Sequence, residues 1–414
     1  MVQKKTVRDI DVNKKRVLVR VDFNVPMDSR GTITDDLRIR AVLPTINYLI
    51  SRQARIILCS HLGRPKGKVV EELRLAPVAK RLSEIMNKKV EALKDCIGPQ
   101  VDDAVAKLSY GEILLLENLR FYPQEEANDP DFARKLSRLA DVYVNDAFGT
   151  CHRTHASVVG IPRYLPAVSG LLLEKELNTL TRLMTNPDRP FAAVIGGAKV
   201  ATKLPLLKNI LPKVDFLLIG GGMIATFLES QGYRVGTSTV DSARLEEVAR
   251  FIQNAKSIGA RLLIPHDLVI APKLEANSST RIVPIDRVPD DWVIVDIGTE
   301  TIESFAKELD KCKTVFWNGP LGVFEIPQFA EGTRSMARTL ANLKAITVIG
   351  GGSTAEAVVE MGLKDRMTYI STGGGASIEM LQGNVLPGVA ALQDSSEEVK
   401  NNWLTKNLAM PEGG

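Results

Sequence analysis

The sequence predicts an α/β protein of two domains, each built on a parallel β-sheet covered by helices on both faces. The length of 414 residues is large for one hydrophobic core. Short β-branched apolar runs alternate with helical patterns of about ten to fifteen residues, which is typical of parallel sheets buried on both faces. Near the middle, a stretch rich in glycine and proline precedes one helical pattern, which suits a connector between two domains.

The individual elements follow from these runs. Strands are predicted in the first half at 16–21, 55–59, 113–116 and 142–145, with helices at 37–51, 76–86 and 131–139. Strands are predicted in the second half at 192–195, 215–219, 261–264, 293–296, 314–317, 346–349 and 367–371. The connecting helix is predicted at 171–184, where apolar residues have helical spacing between two breaker-rich stretches. Beyond a break at 386–388, a short apolar stripe predicts a C-terminal helix, with Val399, Trp403, Leu404 and Leu408 as its members.

Composition excludes several classes of function. The net charge is only +4 and there is no run of five like charges, so neither a nucleic acid nor a membrane surface is an expected partner. The four cysteines are far apart in the sequence, without a CxxC pair, which argues against disulfides and zinc. The charged first ten residues show no signal peptide, and no apolar stretch is long enough for a membrane helix. We therefore expect a cytoplasmic protein with free thiols.

The residues that follow the strands change character halfway along the chain. In the first half they are charged or polar side chains, and in the second half they are runs of glycine at 196–197, 220–222, 350–352 and 373–375. Ligands of open α/β sheets bind beyond the carboxyl ends of the strands. The first half is therefore predicted to hold an anion with side chains, whereas the second allows a large ligand to approach bare backbone.

Two lysines four residues apart, Lys199 and Lys203, follow the first of these glycine turns. Placed on one helical face at a strand end, they favour contact with phosphate over simple solvation. The stretch 63–68 is no Walker loop, because only three residues separate its glycines, and GxGxxG is absent after the first strand. No nucleophile motif is present, and phosphoryl transfer needs none.

These strings together closely resemble the phosphoglycerate kinase family. The matching segments occur in the family's order over nearly the whole chain: 19–26, 60–65, 117–121, 145–150 with His152 and Arg153, 196–200, 317–320 and 371–377. The resemblance implies two Rossmann-like three-layer domains joined by a connecting helix and a hinge. It places the N-terminal, phosphoglycerate-binding domain at 1–170 plus about 390–414, the interdomain helix at 171–186 and the nucleotide-binding domain at 187–389.

The resemblance also implies an activity: reversible in-line transfer of a phosphoryl group between 1,3-bisphosphoglycerate and MgADP, giving 3-phosphoglycerate and MgATP, with hinge closure, in a monomer. The implied phosphoglycerate ligands are Asp22, Asn24, Arg38, His61, Arg64, Arg120 and Arg153. The implied catalytic groups are Arg38, Lys203 and the backbone amides of Gly373, Gly374 and Gly375. The implied nucleotide site comprises Gly196, Gly197, Lys199, Lys203, Gly220, Gly221, Asn318, Pro320, Glu325, Gly351, Gly352, Ser353 and Thr354.

One departure from the family concerns magnesium. Where the family commonly has Gly-Gly-Gly-Asp-Thr, with the aspartate anchoring the Mg²⁺ of the nucleotide, this chain has Gly-Gly-Gly-Ser-Thr at 350–354. Mg²⁺ takes much of its shell from water and substrate phosphates, so activity need not be lost. Ser353 is expected to anchor the ion weakly, and Glu356 is a candidate to replace the missing carboxylate.

Two other readings stay open at this point. Another small-molecule kinase or ligase on two α/β domains is opposed by the missing Walker loop and by the family strings. A binding or scaffold protein that has lost catalysis is opposed by Arg38, Lys199 and Lys203, although Ser353 speaks weakly for it.

Overall fold

The computed structural model describes residues 3–395, so the predicted stripe from Val399 to Leu408 and most of the predicted 390–414 segment lie outside the described residues. The described chain divides into two compact units. Unit 1 comprises residues 3–178 and 385–395, and unit 2 comprises residues 179–384. Each unit has a hydrophobic core of its own.

Unit 1 is built on a six-stranded sheet in which every pairing is parallel, in the order β3-β4-β2-β1-β5-β6. Its strands are β1 (Arg16–Arg20), β2 (Arg55–Cys59), β3 (Val90–Ala92), β4 (Ile113–Leu115), β5 (Val142–Asn145) and β6 (Ala167–Ser169). The four central strands are those that the apolar runs predict. Their side chains are almost entirely buried because helices cover both faces of a parallel sheet.

The helices of unit 1 are α1 (Leu37–Ala41), α2 (Leu43–Ser51), α3 (Ala76–Met86), α4 (Pro99–Lys107), α5 (Pro123–Glu126) and α6 (Pro130–Ser137). The predicted single helix at 37–51 is wrong in one respect: it is interrupted at Val42. Pro44 has no N–H to donate to a carbonyl one turn earlier, so the chain starts a new helix there.

Helix α7 (Leu171–Thr185) connects the two units, and the boundary between residues 178 and 179 lies within it. Its first turn is held by Asp146, at the end of β5. One carboxylate oxygen, Oδ1, accepts hydrogen bonds from the N–H groups of Leu172 at 2.9 Å and Leu173 at 3.0 Å. These are donors that a helix start leaves without intrahelical partners.

Unit 2 contains a second six-stranded parallel sheet, in the order β15-β14-β13-β7-β8-β9, and a separate antiparallel sheet, in the order β11-β10-β12. The parallel strands are β7 (Phe191–Ile195), β8 (Phe216–Ile219), β9 (Arg261–Leu263), β13 (Thr314–Asn318), β14 (Ile346–Gly350) and β15 (Tyr369–Ile370). The antiparallel strands are β10 (Asp267–Ala271), β11 (Arg281–Pro284) and β12 (Val293–Ile297). The predicted two-domain α/β class is thus confirmed.

Two strand predictions in unit 2 need correction. The strand predicted at 293–296 exists, but as β12 it pairs antiparallel with β10 and is no member of the parallel sheet. The sequence does not reveal this pairing, because the partner strand β10 begins with a charged residue and is not itself predicted. The strand predicted at 367–371 is reduced to the two residues of β15, which lie at the sheet edge.

The helices of unit 2 are α8 (Val200–Ile210), α9 (Ile224–Glu229), α10 (Leu245–Ser257), α11 (Thr299–Leu309), α12 (Glu331–Asn342), α13 (Gly352–Glu360) and α14 (Gly375–Leu381). A last short helix, α15 (Pro387–Ala390), belongs to unit 1. Within residues 3–395, no helix is both long enough and apolar enough to cross a membrane. The four cysteines are free thiols and all are buried, as predicted.

Candidate functional sites in the two units

Unit 1 brings the loops after β1 and β2 side by side. The two strands are parallel neighbours, from Arg16 opposite Arg55 to Arg20 opposite Cys59, so their carboxyl ends meet at one edge of the sheet. Asn24 follows β1, and its Oδ1 accepts a hydrogen bond from the N–H of Gly63 in the loop after β2, at 2.8 Å. This bond ties together two loops that carry predicted phosphoglycerate ligands.

Arg38, on α1, is anchored to the first of these loops. Its Nη1 donates to Asp22 Oδ2 at 2.9 Å and to the backbone oxygen of Asn24 at 3.1 Å. The side chain of Asp22 is only 9% exposed, whereas that of Arg38 is 31% exposed. A guanidinium carries five N–H donors, and these bonds use only the Nη1 end. Arg38 is therefore fixed in place with donors left for an anion.

Arg120 lies in the loop after β4 and is a buried cation whose donors are incompletely used. Its Nη1 donates to the backbone oxygen of Gly63 at 2.8 Å. Its Nε and Nη2 are buried without a hydrogen-bond partner among residues 3–395, although Glu126 Oε1 lies 3.4 Å from Nε. Burial, followed by the charge of Arg153, lowers the pKa of Arg120 to about 10. A buried guanidinium with unpartnered donors is costly unless an anion binds there.

His61 is buried among the same cations. Burial is the largest cause that lowers its pKa well below the ordinary value, and the charges of Arg20, Arg120, Arg38 and Arg153 lower it further. The imidazole is therefore neutral at physiological pH. It provides a hydrogen-bonding group and adds no charge to a cluster already rich in arginine.

Arg64 and Arg153 complete the predicted set in unit 1. Arg64 is exposed and Arg153 is half-buried. In the described part of the chain, neither arginine forms an ion pair with a carboxylate. The charge of Arg153 acts on both His61 and Arg120, so the structure brings these three together, whereas Arg64 is linked only through the shared loop at Gly63. Together these residues form what we call the arginine edge of unit 1: Asp22, Asn24, Arg38, His61, Arg64, Arg120 and Arg153.

The prediction misses a buried network beneath the arginine edge. Arg20, the last residue of β1, is fully buried, and its Nε donates to Ser157 Oγ at 2.9 Å. Ser157 in turn donates from Oγ to Glu125 Oε1 at 2.5 Å and from its N–H to Oε2 at 2.9 Å. Burial raises the pKa of Glu125. A charged residue between the apolar run Val17–Val19 and Val21 was the signal in the sequence for Arg20, whereas nothing local singles out Glu125.

In unit 2, the glycine turns after β7 and β13 pack directly against each other. The two strands are parallel neighbours, and the Gly197 N–H donates to the backbone oxygen of Pro320 at 3.0 Å. A Cβ at Gly196 would lie 2.2 Å from that same Pro320 oxygen, and a Cβ at Gly319 would lie 2.3 Å from the Gly196 oxygen. At these positions glycine is required by contact between turns, a structural requirement that is separate from the approach of a ligand.

A cavity of about 190 Å³ lies beside these turns. Pockets for whole small-molecule ligands span roughly 300–1,000 Å³, so this cavity would hold one part of a larger ligand. Four predicted nucleotide ligands line it: Gly197, Gly221, Pro320 and Glu325. Residues of β12 that the prediction missed also line it, among them Ile294, Val295 and Asp296, because β12 was assigned to the wrong sheet.

Lys199 and Lys203 have different environments, so the prediction of one shared helical face is wrong. Helix α8 begins at Val200, and Lys199 precedes it with extended backbone and an exposed side chain. Lys203 lies within α8, partly buried, and its ammonium group donates to Asn318 Oδ1. Burial lowers the pKa of Lys203 to about 8.

The strand end after β14 joins the same edge of the sheet. Asn318 Nδ2 donates to the backbone oxygen of Gly350 at 2.7 Å, and Thr354 Oγ1 accepts from the Gly319 N–H at 2.7 Å. Thr354 is buried and therefore serves the turn, whereas Gly352 and Ser353 are exposed. We call the turns at 196–197, 220–222, 318–320 and 350–352 the glycine edge of unit 2.

The run at 373–375 follows the edge strand β15. Its first N–H, that of Gly373, donates to Ser371 Oγ at 3.1 Å, so this amide has a partner within the chain. Gly374 has φ 51°, in the left-handed region, and apart from its chain neighbours no atom of residues 3–395 would lie within 4 Å of a Cβ there. The open space at this position allows a ligand to approach the backbone.

The residues predicted for magnesium are tested by their donor chemistry. Within residues 3–395, no group of three or more His, Cys, Asp or Glu is placed to hold a metal ion. Ser353 and Glu356, both exposed near the start of α13, offer one hydroxyl and one carboxylate. Mg²⁺ is commonly held by one or two carboxylates together with substrate phosphates and water. These residues therefore fit an Mg²⁺ that is bound mainly by a nucleotide.

Comparisons with known proteins decide the family. The phosphoglycerate kinase family model matches residues 7–384. The chain belongs to the phosphoglycerate kinase family. It is 55% identical over 391 residues to phosphoglycerate kinase of Pelotomaculum thermopropionicum, covering 94% of this chain and 99% of the relative. It is 53% identical over 391 residues to that of Moorella thermoacetica, with the same coverage of both chains.

Solved structures of the family have the same fold. Phosphoglycerate kinase from Coxiella burnetii superimposes with a TM-score of 0.83 at 39% identity, covering 94% of this chain and 98% of that one. The enzyme from Pyrococcus horikoshii gives a TM-score of 0.80 at 32% identity, covering 95% and 98%. The predicted family and activity are thereby confirmed: the chain is a glycolytic kinase that uses a nucleotide and a phosphoglycerate, with a carboxyl group as phosphoryl acceptor.

Proposed function

We propose that the arginine edge of unit 1 binds the phosphoglycerate and that the glycine edge of unit 2 binds the nucleotide. The observation that carries the first half of the proposal is Arg120, a buried guanidinium whose Nε and Nη2 have no hydrogen-bond partner among residues 3–395. A phosphate or carboxylate oxygen would satisfy these donors with charge-assisted hydrogen bonds. The cavity beside the glycine turns supports the second half, because part of a nucleotide would fit it.

Within this proposal, Arg38 has the clearest role in catalysis. It is anchored by Asp22 at Nη1 and keeps other donors for charge that develops on the transferred phosphoryl group. Direct in-line transfer needs positioning and charge neutralisation more than covalent chemistry. Lys203 would supply positive charge to the nucleotide phosphates. The backbone amides of Gly374 and Gly375 would donate hydrogen bonds to the transferred phosphoryl group. Hinge closure, a monomeric state and a cytoplasmic location stay predictions.

Magnesium enters through the nucleotide in this proposal. When bound, Mg²⁺ would neutralise phosphate charge. The hydroxyl of Ser353 and the carboxylate of Glu356 would supply the protein oxygens in place of the missing aspartate. Titration of ADP in the presence and absence of Mg²⁺ tests this. Glu360→Gln is the control, because Glu360 is an exposed carboxylate at the other end of α13. We expect Ser353→Asp to tighten and Glu356→Gln to weaken MgADP binding several-fold, with metal-free ADP unaffected. An effect of Glu356→Gln no larger than that of Glu360→Gln would remove Glu356 from the site.

A coupled assay of ATP with 3-phosphoglycerate tests the function as a whole. The wild-type chain should turn over both substrates, and Arg120→Met should raise the KM for 3-phosphoglycerate. If the wild-type chain binds both ligands but does not turn over, the scaffold reading would replace the kinase reading for this particular chain.

A further inference from the structure

We propose that Arg20 is a positioning residue that holds His61 in its Nε2–H tautomer, so that His61 presents a neutral N–H donor to the phosphoglycerate. This inference rests on the proposed function of the arginine edge. It assigns a role to a residue beneath that edge and specifies which atom of His61 donates.

The donors of Arg20 are spread over three acceptors on different parts of unit 1. Its Nε donates to Ser157 Oγ at 2.9 Å, its Nη1 donates to the backbone oxygen of Val21, and its Nη2 lies 3.2 Å from His61 Nδ1. The side chain is fully buried. Three fixed acceptors and complete burial leave the guanidinium little freedom to move, so the Nη2–H stays directed at the imidazole.

The tautomer of His61 follows from donor chemistry. A guanidinium has N–H donors and no acceptor, so in the contact with Arg20 the Nδ1 atom of His61 must be the acceptor. A proton on Nδ1 would place two N–H groups face to face. The neutral ring must therefore carry its proton on Nε2, which has no hydrogen-bond partner among residues 3–395.

Burial and, after it, the charged groups around His61 keep the ring neutral. Arg20 faces it from β1, Arg38 from α1, Arg120 from the loop after β4 and Arg153 from the loop after β5. Against these four cations stands Asp22, whose Oδ1 lies 3.9 Å from Nδ1, too far for a hydrogen bond. Protonation of the ring would thus place a fifth positive charge in a buried site.

The position of Asp22 shows which tautomer of His61 would form without Arg20. Without the Arg20 donor, a small rotation would allow an Nδ1–H tautomer to donate to Asp22 Oδ1. Nε2 would then be an acceptor and would repel the oxygens of an anionic substrate. Arg20 therefore selects the tautomer that attracts the ligand.

Nitrogen NMR of the wild-type protein tests the tautomer directly and without substrate. The chain has only four histidines, and the resonances of His61 are those that disappear in His61→Gln. We expect an unprotonated Nδ1 and a protonated Nε2 that do not change from pH 5 to pH 8. A protonated Nδ1, or titration of the ring in this range, overturns the proposal whether or not any variant folds.

A double-mutant cycle tests whether Arg20 acts through His61. Arg20→Met should weaken 3-phosphoglycerate binding by about tenfold, as for the loss of a hydrogen bond to a charged group. In the His61→Gln background, whose amide donates irrespective of tautomer, Arg20→Met should have little further effect; equal losses in both backgrounds contradict the proposal. Arg16→Met is the matched control, since Arg16 lies on the same strand but pairs with Asp141 at 2.6 Å. If wild-type protein fails to bind 3-phosphoglycerate while the tautomer is as stated, the proposed function fails and the Arg20–His61 relationship remains.

Discussion

The ammonium group of Lys203 donates to the side-chain oxygen of Asn318, and the amide nitrogen of Asn318 donates to the backbone oxygen of Gly350. Through these two bonds, Lys203 is connected to the ends of both β13 and β14 at the glycine edge. Lys199, by contrast, is exposed. The two lysines, which lie four residues apart after the same glycine turn, are therefore expected to contribute differently.

Replacement of Lys203 should reduce turnover much more than replacement of Lys199. We expect Lys203→Met to lower kcat by roughly 10²–10³-fold, the size of effect seen when one preorganised electrostatic donor is removed. Lys199→Met should act mainly on the nucleotide KM. Steady-state kinetics with both substrates varied will check this, and equal losses of kcat in the two variants would contradict it.

The buried charge of Lys203 also predicts a pH dependence of stability. Burial lowers the pKa from 10.5 to about 8, so the charged form costs free energy in the folded state. Below pH 8 the lysine is protonated in both folded and unfolded chains, and the cost is fully present. Between about pH 8 and 10.5 the folded state loses the proton first, and the cost disappears.

Lys203→Met should accordingly be more stable than wild type at pH 7, and the difference should shrink as the pH rises toward 10.5. Urea unfolding followed by circular dichroism over this range measures the difference. A gap that stays constant with pH would show that the pKa of Lys203 is not shifted.

Arg38 is expected to act on the transition state more than on binding. Arg38→Ala should lower kcat by about 10³–10⁵-fold, as for arginines that neutralise a transferring phosphoryl group, with a smaller change in KM. Arg40→Ala is the matched control, because Arg40 is on the same helix, exposed, and paired with Asp36 at 2.8 Å. A rise in KM alone would leave Arg38 as a binding residue.

Substitution by alanine should destabilise the protein at one glycine of the nucleotide-binding set and have little effect on stability at another. At Gly196 a Cβ would lie 2.2 Å from the Pro320 oxygen, so Gly196→Ala should destabilise the protein by about 1–3 kcal/mol or more. At Gly352, apart from the neighbouring backbone, no atom of the described residues lies within 4 Å of a Cβ, and Gly352→Ala should change stability by less than about 0.5 kcal/mol. Denaturant unfolding of the two variants separates them; comparable destabilisation would refute the distinction between turn packing and ligand approach.

The central strands of both parallel sheets were predictable because they are buried on both faces and read as continuous apolar runs. Among the edge strands, β3 and β6 have three residues each and were not predicted, and β15 has two residues and was predicted too long. An edge strand pairs on one side only, so a short segment suffices and leaves little pattern. The antiparallel pairing of β12 depends on β10, a strand that begins with a charged residue and was not predicted.

The same contrast applies to the sites. Residue types after the strands predicted an anion site that includes His61 and Arg120, because parallel strands bring their carboxyl ends to one edge. The role of Arg38, on α1, was implied by the family resemblance. The unpartnered donors of Arg120, and the tautomer that Arg20 imposes on His61, depend on distances between loops that no local pattern encodes. The contact between Gly196 and Pro320 likewise joins turns more than a hundred residues apart.

Calorimetric titration of 3-phosphoglycerate and ADP into two variants tests the central claim most directly. Arg120→Met should weaken 3-phosphoglycerate binding by about tenfold or more and change ADP binding by less than about twofold. Gly352→Ala should weaken ADP binding and leave 3-phosphoglycerate binding intact. If either variant weakens both ligands equally, or if Arg120→Met leaves 3-phosphoglycerate binding unchanged, the assignment of one ligand to each unit is wrong.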